Sequence, residues 1–191
     1  MSKKSRSKVI VIVAPSGAGK TTICHLLLKE FSLIKFSVSA TTRASRNGEI
    51  DGKDYYFLSD DEFVRRVDEK RFLEWEFYNG NKYGTLQSEV DKLLKSGYFP
   101  LLDIEVKGAL SVKNIYGSDC ISIFIQPPSM DALEQRLRKR GTETTISVKN
   151  RLKRAEEEMS FAENFDYLVV NDDLETAYKE VKAIIEPFIT D

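Results

Sequence analysis

The strongest apolar signal in the chain is Val9-Ile10-Val11-Ile12-Val13, five β-branched residues with no polar interruption. A continuous run of this kind predicts a strand buried on both faces. A short, small-residue segment follows, Ala14-Pro15-Ser16-Gly17-Ala18-Gly19-Lys20-Thr21-Thr22, and then Ile23, Leu26, Leu27 and Leu28 open a helical pattern. Further apolar runs at Tyr98–Ile104, Ile121–Ile125 and Leu168–Val170 read as core strands, each separated from the next by helical spacing. The order predicts an α/β fold: a parallel sheet with helices on both faces.

Between the first and second of these runs the pattern changes. Phe36-Ser37-Val38-Ser39-Ala40 alternates like a half-buried strand, and a long polar loop runs from Thr41 to Asp54. Tyr55–Leu58 is a short strand. Ser59-Asp60-Asp61-Glu62 is a capping box for a helix to about Glu69, and Phe72–Phe77 alternates into the turn signal Asn79-Gly80 before Lys82–Thr85 returns. A helix over about 86–96, stopped by Gly97, and one over 106–115 flank the second apolar run. After Pro127-Pro128, two basic helices are expected, from Ser129 to Arg140 and from about Ile146 to Ala162, and a last helix runs to about Phe188. The chain therefore divides into a core (1–36, 86–128 and 162–191), a mixed β-rich insert (37–85) and a helical lid (129–161), all within a single domain.

Charge adds little at the global level. With 31% charged residues and a formal net charge of −1, the chain has no overall field favouring nucleic acid, so anion binding must come from local clusters. The basic tip Lys3, Lys4, Arg6, Lys8 reads as a solvated tail. The apolar run behind it is too short for a secretory leader, no stretch is long enough to span a membrane, and the cytoplasm is the expected compartment. Cys24 and Cys120 have no metal-ligand spacing and read as core thiols. The only histidine, His25, reads as a partly exposed helix residue.

Strand, glycine loop, Lys-Thr and helix form the context of a phosphate-binding P-loop. Gly17 and Gly19 let successive N–H groups face an anion, and the following helix adds its positive end. Lys20 supplies charge for the β- and γ-phosphates, and the Thr21 hydroxyl is placed to ligate Mg²⁺. Ala14 stands where the usual pattern has glycine, which fits if its φ is negative.

Three further groups carry candidate chemistry. Arg43, Arg46, Tyr55 and Tyr83 combine forked cations with phenolic donors, which suits a second phosphate, although a solvated loop with core tyrosines would read the same. Ser39, Glu74, Thr85, Asp103 and Glu105 supply hydroxyls and carboxylates. An ionised carboxylate accepts from the N1–H and N2 amino group of guanine and would be left unpaired by adenine. Glu74 should face opposite to Leu73 and Trp75, a position equally compatible with plain solvent exposure. Arg136 and Arg140 share a helix face, and with Arg151 could close over a triphosphate, unless they are an ordinary basic surface balanced by Glu134, Glu156, Glu157 and Glu158.

Together these segments resemble the guanylate kinase family. The resemblance is carried by Ala14–Thr22, Phe36–Arg46 with Gly48-Glu49 and Gly52-Lys53-Asp54-Tyr55, Phe72–Trp75, Tyr83-Gly84-Thr85, Leu102–Glu105, Arg136 with Arg140–Glu143, Asn150-Arg151-Leu152 and Val170-Asn171-Asp172. It implies ATP + GMP giving ADP + GDP with Mg²⁺, on GMP and its deoxy form, by a monomer or homodimer. It implies that Ser16, Gly17, Ala18, Gly19, Lys20, Thr21, Thr22, Arg136 and Asn171 serve ATP. Ser39, Arg43, Arg46, Tyr55, Glu74, Tyr83, Thr85, Asp103 and Glu105 would serve GMP. Lys20, Arg43, Arg140 and Arg151 would stabilise the transferring group, and Thr21 would hold the metal. Two other readings remain open: a non-catalytic module of the same type that binds phosphorylated peptide, and a kinase for another nucleoside monophosphate. The intact Gly17, Gly19, Lys20 and Thr21 speak against the first, and Glu74 with Asp103 against the second.

Overall fold

The computed structural model describes residues 7–139 and 145–189. Arg140 and the expected Gly141 stop lie outside them. In chain order the elements are β1 (Val9–Val13), α1 (Lys20–Glu30), β2 (Ile34–Phe36), β3 (Ala40–Thr41), β4 (Tyr56–Phe57), α2 (Asp60–Asp68), β5 (Phe72–Tyr78), β6 (Asn81–Leu86), α3 (Gln87–Lys95), β7 (Phe99–Asp103), α4 (Val106–Tyr116), β8 (Cys120–Gln126), α5 (Met130–Lys139), α6 (Thr145–Met159), β9 (Tyr167–Val170) and α7 (Leu174–Ile189).

A five-stranded sheet in the order β2-β7-β1-β8-β9, with every pairing parallel, forms the centre. The unbroken apolar run of β1 has a simple cause. Ile10 and Ile12 face one core, with Ile23 and Leu27 of α1 and Ala177, Val181 and Ile185 of α7. Val9, Val11 and Val13 face another, with Val90 of α3 and Val106, Ala109 and Val112 of α4. A strand covered on both faces has no position at which a polar side chain is free of cost, and each fully buried Val or Ile contributes about 1.5–3 kcal/mol. The carboxyl ends of β1 and β7 open into the loop after Val13 and into Asp103. This is the end of an open parallel sheet where ligands bind.

A second, mixed sheet in the order β4-β3-β6-β5 covers that end. Its β5–β6 hairpin turns through Asn79 and Gly80, both at positive φ (49° and 81°), as the Asn-Gly pair predicts. A small separate core forms where Phe63 of α2 stacks on Phe72 at 4.4 Å.

Several sequence expectations shift. The strand expected over Phe36–Ala40 is split: β2 ends at Phe36 in one sheet and β3 starts at Ala40 in the other. The chain has to cross between the sheets there, so Phe36 is exposed while Ser37 is buried, the reverse of the alternation. The capping box is half made. Ser59 Oγ accepts from Glu62 N–H at 3.2 Å, but the Glu62 carboxylate pairs with Arg65 and Arg66 instead of turning back. β9 is an edge strand with only Val169 buried. Cys24 and Cys120 are free and buried, and burial pushes both thiols up to about 12. Among the described residues, no helix is long and apolar enough to cross a membrane.

Candidate active site

The loop between β1 and α1 has the shape its glycines predict. Gly17 and Gly19 sit at φ 97° and 98°, a region costly for residues with a Cβ, and a Cβ on Gly19 would collide with the Asn171 side chain. Ala14 is not at positive φ, so alanine there carries no left-handed strain. Ala18 is fully buried, and its carbonyl accepts from Asn171 Nδ2 at 2.7 Å, which ties the exit of β9 to the loop. Ser16, Gly17, Gly19, Lys20, Thr21 and Thr22 line a cleft of about 310 Å³, closed on the far side by Asp103, Glu105, Arg151, Arg154 and Glu158.

Lys20 opens α1 and points across the cleft. Its ammonium forms an ion pair with Asp103 at the end of β7 and donates to the Ile104 carbonyl at 3.3 Å. Burial alone would lower its pKa. The Asp103 carboxylate, with a smaller contribution from Glu105, outweighs this and holds it above its ordinary value, so Lys20 is cationic.

A second cavity of about 300 Å³ lies between the two sheets, lined by Ser39, Tyr55, Glu74, Tyr83, Asp103 and Glu105, with Lys20 on its wall. Lys20, Asp103, Glu105 and Tyr78 are common to the two cavities. Glu74 and Thr85 are direct cross-strand partners on β5 and β6, and Thr85 Oγ1 donates to Glu74 Oε1 at 2.6 Å. Burial raises the Glu74 pKa above the ordinary carboxylate value, and the Thr85 hydrogen bond offsets part of this. A register shift between Phe72 and Glu74 breaks the expected alternation. Leu73 joins the core cluster of α4, Glu74 also turns toward α4, and Trp75 packs edge-on to Phe63 at 6.2 Å.

Arg43 and Arg46 do not line this cavity. Arg43 is held by Glu49 through two bonds of 3.0 and 2.8 Å, and Glu49 also accepts from the Arg46 backbone N–H at 2.7 Å. That bidentate partner holds the Glu49 pKa below the usual range. The Arg43 guanidinium lies 5.4 Å from the centre of the Tyr55 ring, and Tyr55 meets Tyr83 edge-on at 6.1 Å, so these three candidates for a second phosphate are grouped.

On the side of α5 and α6, Arg151 Nη1 donates to Ser16 Oγ at 3.2 Å, and Arg136 Nη2 donates to the Asp172 carbonyl at 2.9 Å. Leu133 and Leu137 of α5 pack with Ala155 of α6, and both leucines lie against the loop at Gly17. One residue the sequence did not single out is Arg154. It donates to Glu105 at 2.8 Å and to Glu158 at 2.7 Å and lies 5.1 Å over the Tyr78 ring, so it ties α6 to the residue preceding α4 and to β5. Burial, with Glu105 adding repulsion, pushes the Glu158 carboxyl up to about 7. The legible signals were the three-residue spacing of Arg151 and Arg154 and the four-residue spacing of Arg154 and Glu158, which place all three on one helix face.

Comparison with known proteins agrees with this geometry. The family model described as guanylate kinase matches residues 6–187. A guanylate kinase from Chlorobium chlorochromatii is 48% identical over 189 residues, covering 99% of this chain and 100% of that protein. One from Salinibacter ruber is 50% identical over 183 residues, covering 95% and 97%. The crystal structure of guanylate kinase from Anaplasma phagocytophilum superposes with a TM-score of 0.76 at 34% identity, over 98% of this chain and 89% of that one. At this length and identity the chain belongs to the guanylate kinase family, catalysing the ATP-dependent phosphorylation of GMP to GDP.

Proposed function

We propose that the cleft at the glycine loop receives ATP, that the cavity between the sheets receives GMP, and that the γ-phosphoryl group crosses at Lys20. The observation that carries this reading is the wall shared by the two cavities: Lys20 and Asp103 border both. In-line transfer needs the two phosphates in contact, and a shared wall is where they meet.

In this reading the guanine edge lies against Glu74, with Ser39, Thr85 and Asp103 around it. Thr85 reaches the base either directly or by holding Glu74. The GMP phosphate lies toward Tyr55, Tyr83 and Arg43, with Arg46 on the same loop. Arg43 exchanges Glu49 for the phosphate, a trade between two bidentate partners. Glu105 lies between the sites, bound to Arg154. No side chain needs to act as a strong base, because the attacking GMP oxygen is already anionic. Lys20, Arg43, Arg140 and Arg151 stabilise the charge spread over the migrating group. Ser16, Gly17, Ala18, Gly19 and Thr22 hold the ATP phosphates through the loop, with Arg136 above them and Asn171 bracing the loop.

The Thr21 hydroxyl lines the ATP cleft, and Asp103 offers a carboxylate across it. Oxygen ligands of this kind suit Mg²⁺ carried in by ATP, which screens the phosphate charge. The insert 37–85 and the lid 129–161 would close on the core when both substrates are present, excluding water. The same base contacts admit the deoxy form of GMP. All of these groups come from one chain, so a monomer suffices, and a homodimer would carry two complete sites. Both substrates are soluble nucleotides, and the cytoplasm is the compartment we assign.

Glu74→Gln tests the base assignment. It replaces one acceptor oxygen by an amide donor facing guanine's own donors, and an unpaired group in such a site costs up to roughly 10⁴-fold in discrimination. Calorimetry on the folded variant should show weakened GMP binding with ATP binding intact. Equal effects on the two nucleotides would remove Glu74 from the base site.

A further inference from the structure

We propose that Gly108 is a positioning residue for guanine selection: by carrying no side chain in the first turn of α4, it leaves the space in which the Glu74 carboxylate is held. The proposal rests on the assignment of Glu74 to the base site.

Gly108 is the third residue of α4 (Val106–Tyr116). Glycine is a poor helix former, and its usual justification, a positive φ, does not apply here, because Gly108 is absent from the residues at positive φ. The reason is close approach. A Cβ built on Gly108 would lie 2.6 Å from Glu74 Oε2, 2.9 Å from Cδ and 3.0 Å from Cγ. All three of the nearest atoms belong to this one side chain. The helix could therefore accept a methyl group if the carboxylate gave way, and the group that gives way is the one assigned to the base.

Glu74 is constrained on its other side. Its Oε1 accepts from Thr85 Oγ1 at 2.6 Å, and Thr85 is itself buried and fixed in the β6 ladder. The carboxylate is thus gripped between a hydroxyl on the neighbouring strand and the bare backbone of α4. It also lies beside the positive end of that helix, which favours the ionised form that guanine's two donors need. A methyl group at position 108 would force a retreat on the order of 0.5 Å, the tolerance within which a recognition constellation must hold its groups. The ATP cleft, on the other side of Lys20, would not be disturbed.

The test is Gly108→Ala, read by steady-state kinetics and thermal melting, alone and in a Glu74→Ala background. The expected result is a rise in KM for GMP, with a loss in kcat/KM for GMP of roughly 10- to 100-fold. KM for ATP should stay unchanged, and the melting temperature should be equal or higher because alanine favours the helix. In the Glu74→Ala background the second substitution should have no further effect on GMP, since no carboxylate remains to displace. The proposal is overturned if KM for GMP stays within about twofold, if the KM values for GMP and ATP rise together, if the losses simply multiply, or if the variant melts lower or fails to fold, because the helix and not the carboxylate would then have yielded. A Glu74→Ala enzyme that uses GMP normally would instead defeat the underlying base assignment. That result is visible without any change at position 108.

Discussion

Asp103→Asn separates the two roles of the Lys20 ion pair. Asp103 is the main counter-charge of a lysine whose side chain is 17% exposed, and its own side chain is 28% exposed. Removing one partner of a fully buried pair costs about 3–5 kcal/mol. Here both groups reach some water, and asparagine keeps one neutral acceptor, so about 1–2 kcal/mol is expected. For a chain of this size each kcal/mol moves the melting temperature by about 2–4 °C, which predicts a fall of about 2–8 °C. Burial then dominates the Lys20 titration and its pKa drops below the ordinary value. The deficit is therefore full at neutral pH and shrinks as pH rises through the variant's lowered value, where a neutral amine needs no partner; the wild-type pair, whose lysine is held above the ordinary value of 10.5, is lost only at higher pH still. ATP should act as pH does. Its phosphates give the buried ammonium the counter-charge the variant lacks, whereas in the wild type they must compete with Asp103. Scanning calorimetry with and without saturating ATP, GMP omitted, measures the gap directly. It should narrow to less than half with nucleotide. An unchanged apo melting temperature would refute the weight given to the Lys20–Asp103 pair, and a gap that persists at saturating ATP would refute the placement of the ATP phosphates at Lys20.

Other consequences are as direct. Lys20→Met should lower turnover by at least roughly 10²–10³-fold while the protein stays folded by circular dichroism, and near wild-type rates would remove Lys20 from the transfer step. Glu158, with its carboxyl at about 7, binds a proton in the folded state over a range where the unfolded chain has released it, so it subtracts stability as pH rises from about 4.5 to about 7. Glu158→Gln removes that slope, and melting curves from pH 5 to 8 should show the variant gaining on the wild type; parallel profiles would contradict this. Closure is testable by fluorescence distance between dyes on cysteines introduced at Asn47 and Ile146, both exposed, while the native thiols of Cys24 and Cys120 are buried and inert. The distance should shorten most with GMP and a non-hydrolysable ATP analogue together, and no change with both bound would reject the moving lid.

The parts of this fold that were legible in the sequence are those in which local chemistry leaves one choice. A run of five β-branched residues followed by a glycine loop specifies a central strand and a tight turn with Gly17 and Gly19 at positive φ, and Asn79-Gly80 specifies the hairpin. The parts that were not legible depend on where elements meet. The alternation over Phe36–Ala40 suggested one strand because nothing local marks the crossing from one sheet to the other. Arg154 sat among eight basic residues in the lid segment, and only the fold brings Glu105 and Tyr78 to it. Glu49 was visible only as part of a loop motif, yet it holds Arg43. Gly108 was unremarked inside a helical pattern, because its significance lies in a side chain 34 residues earlier in the chain.

The most direct test of the two-cavity arrangement is a crystal structure of this chain with GMP and a non-hydrolysable ATP analogue. The predicted result places the guanine edge within hydrogen-bond distance of Glu74, the GMP phosphate beside Tyr55, Tyr83 and Arg43, and the γ-phosphate on Lys20, with the Lys20–Asp103 pair opened. Guanine density away from Glu74, or a γ-phosphate on the far side of the loop with Lys20 still paired to Asp103, would contradict it.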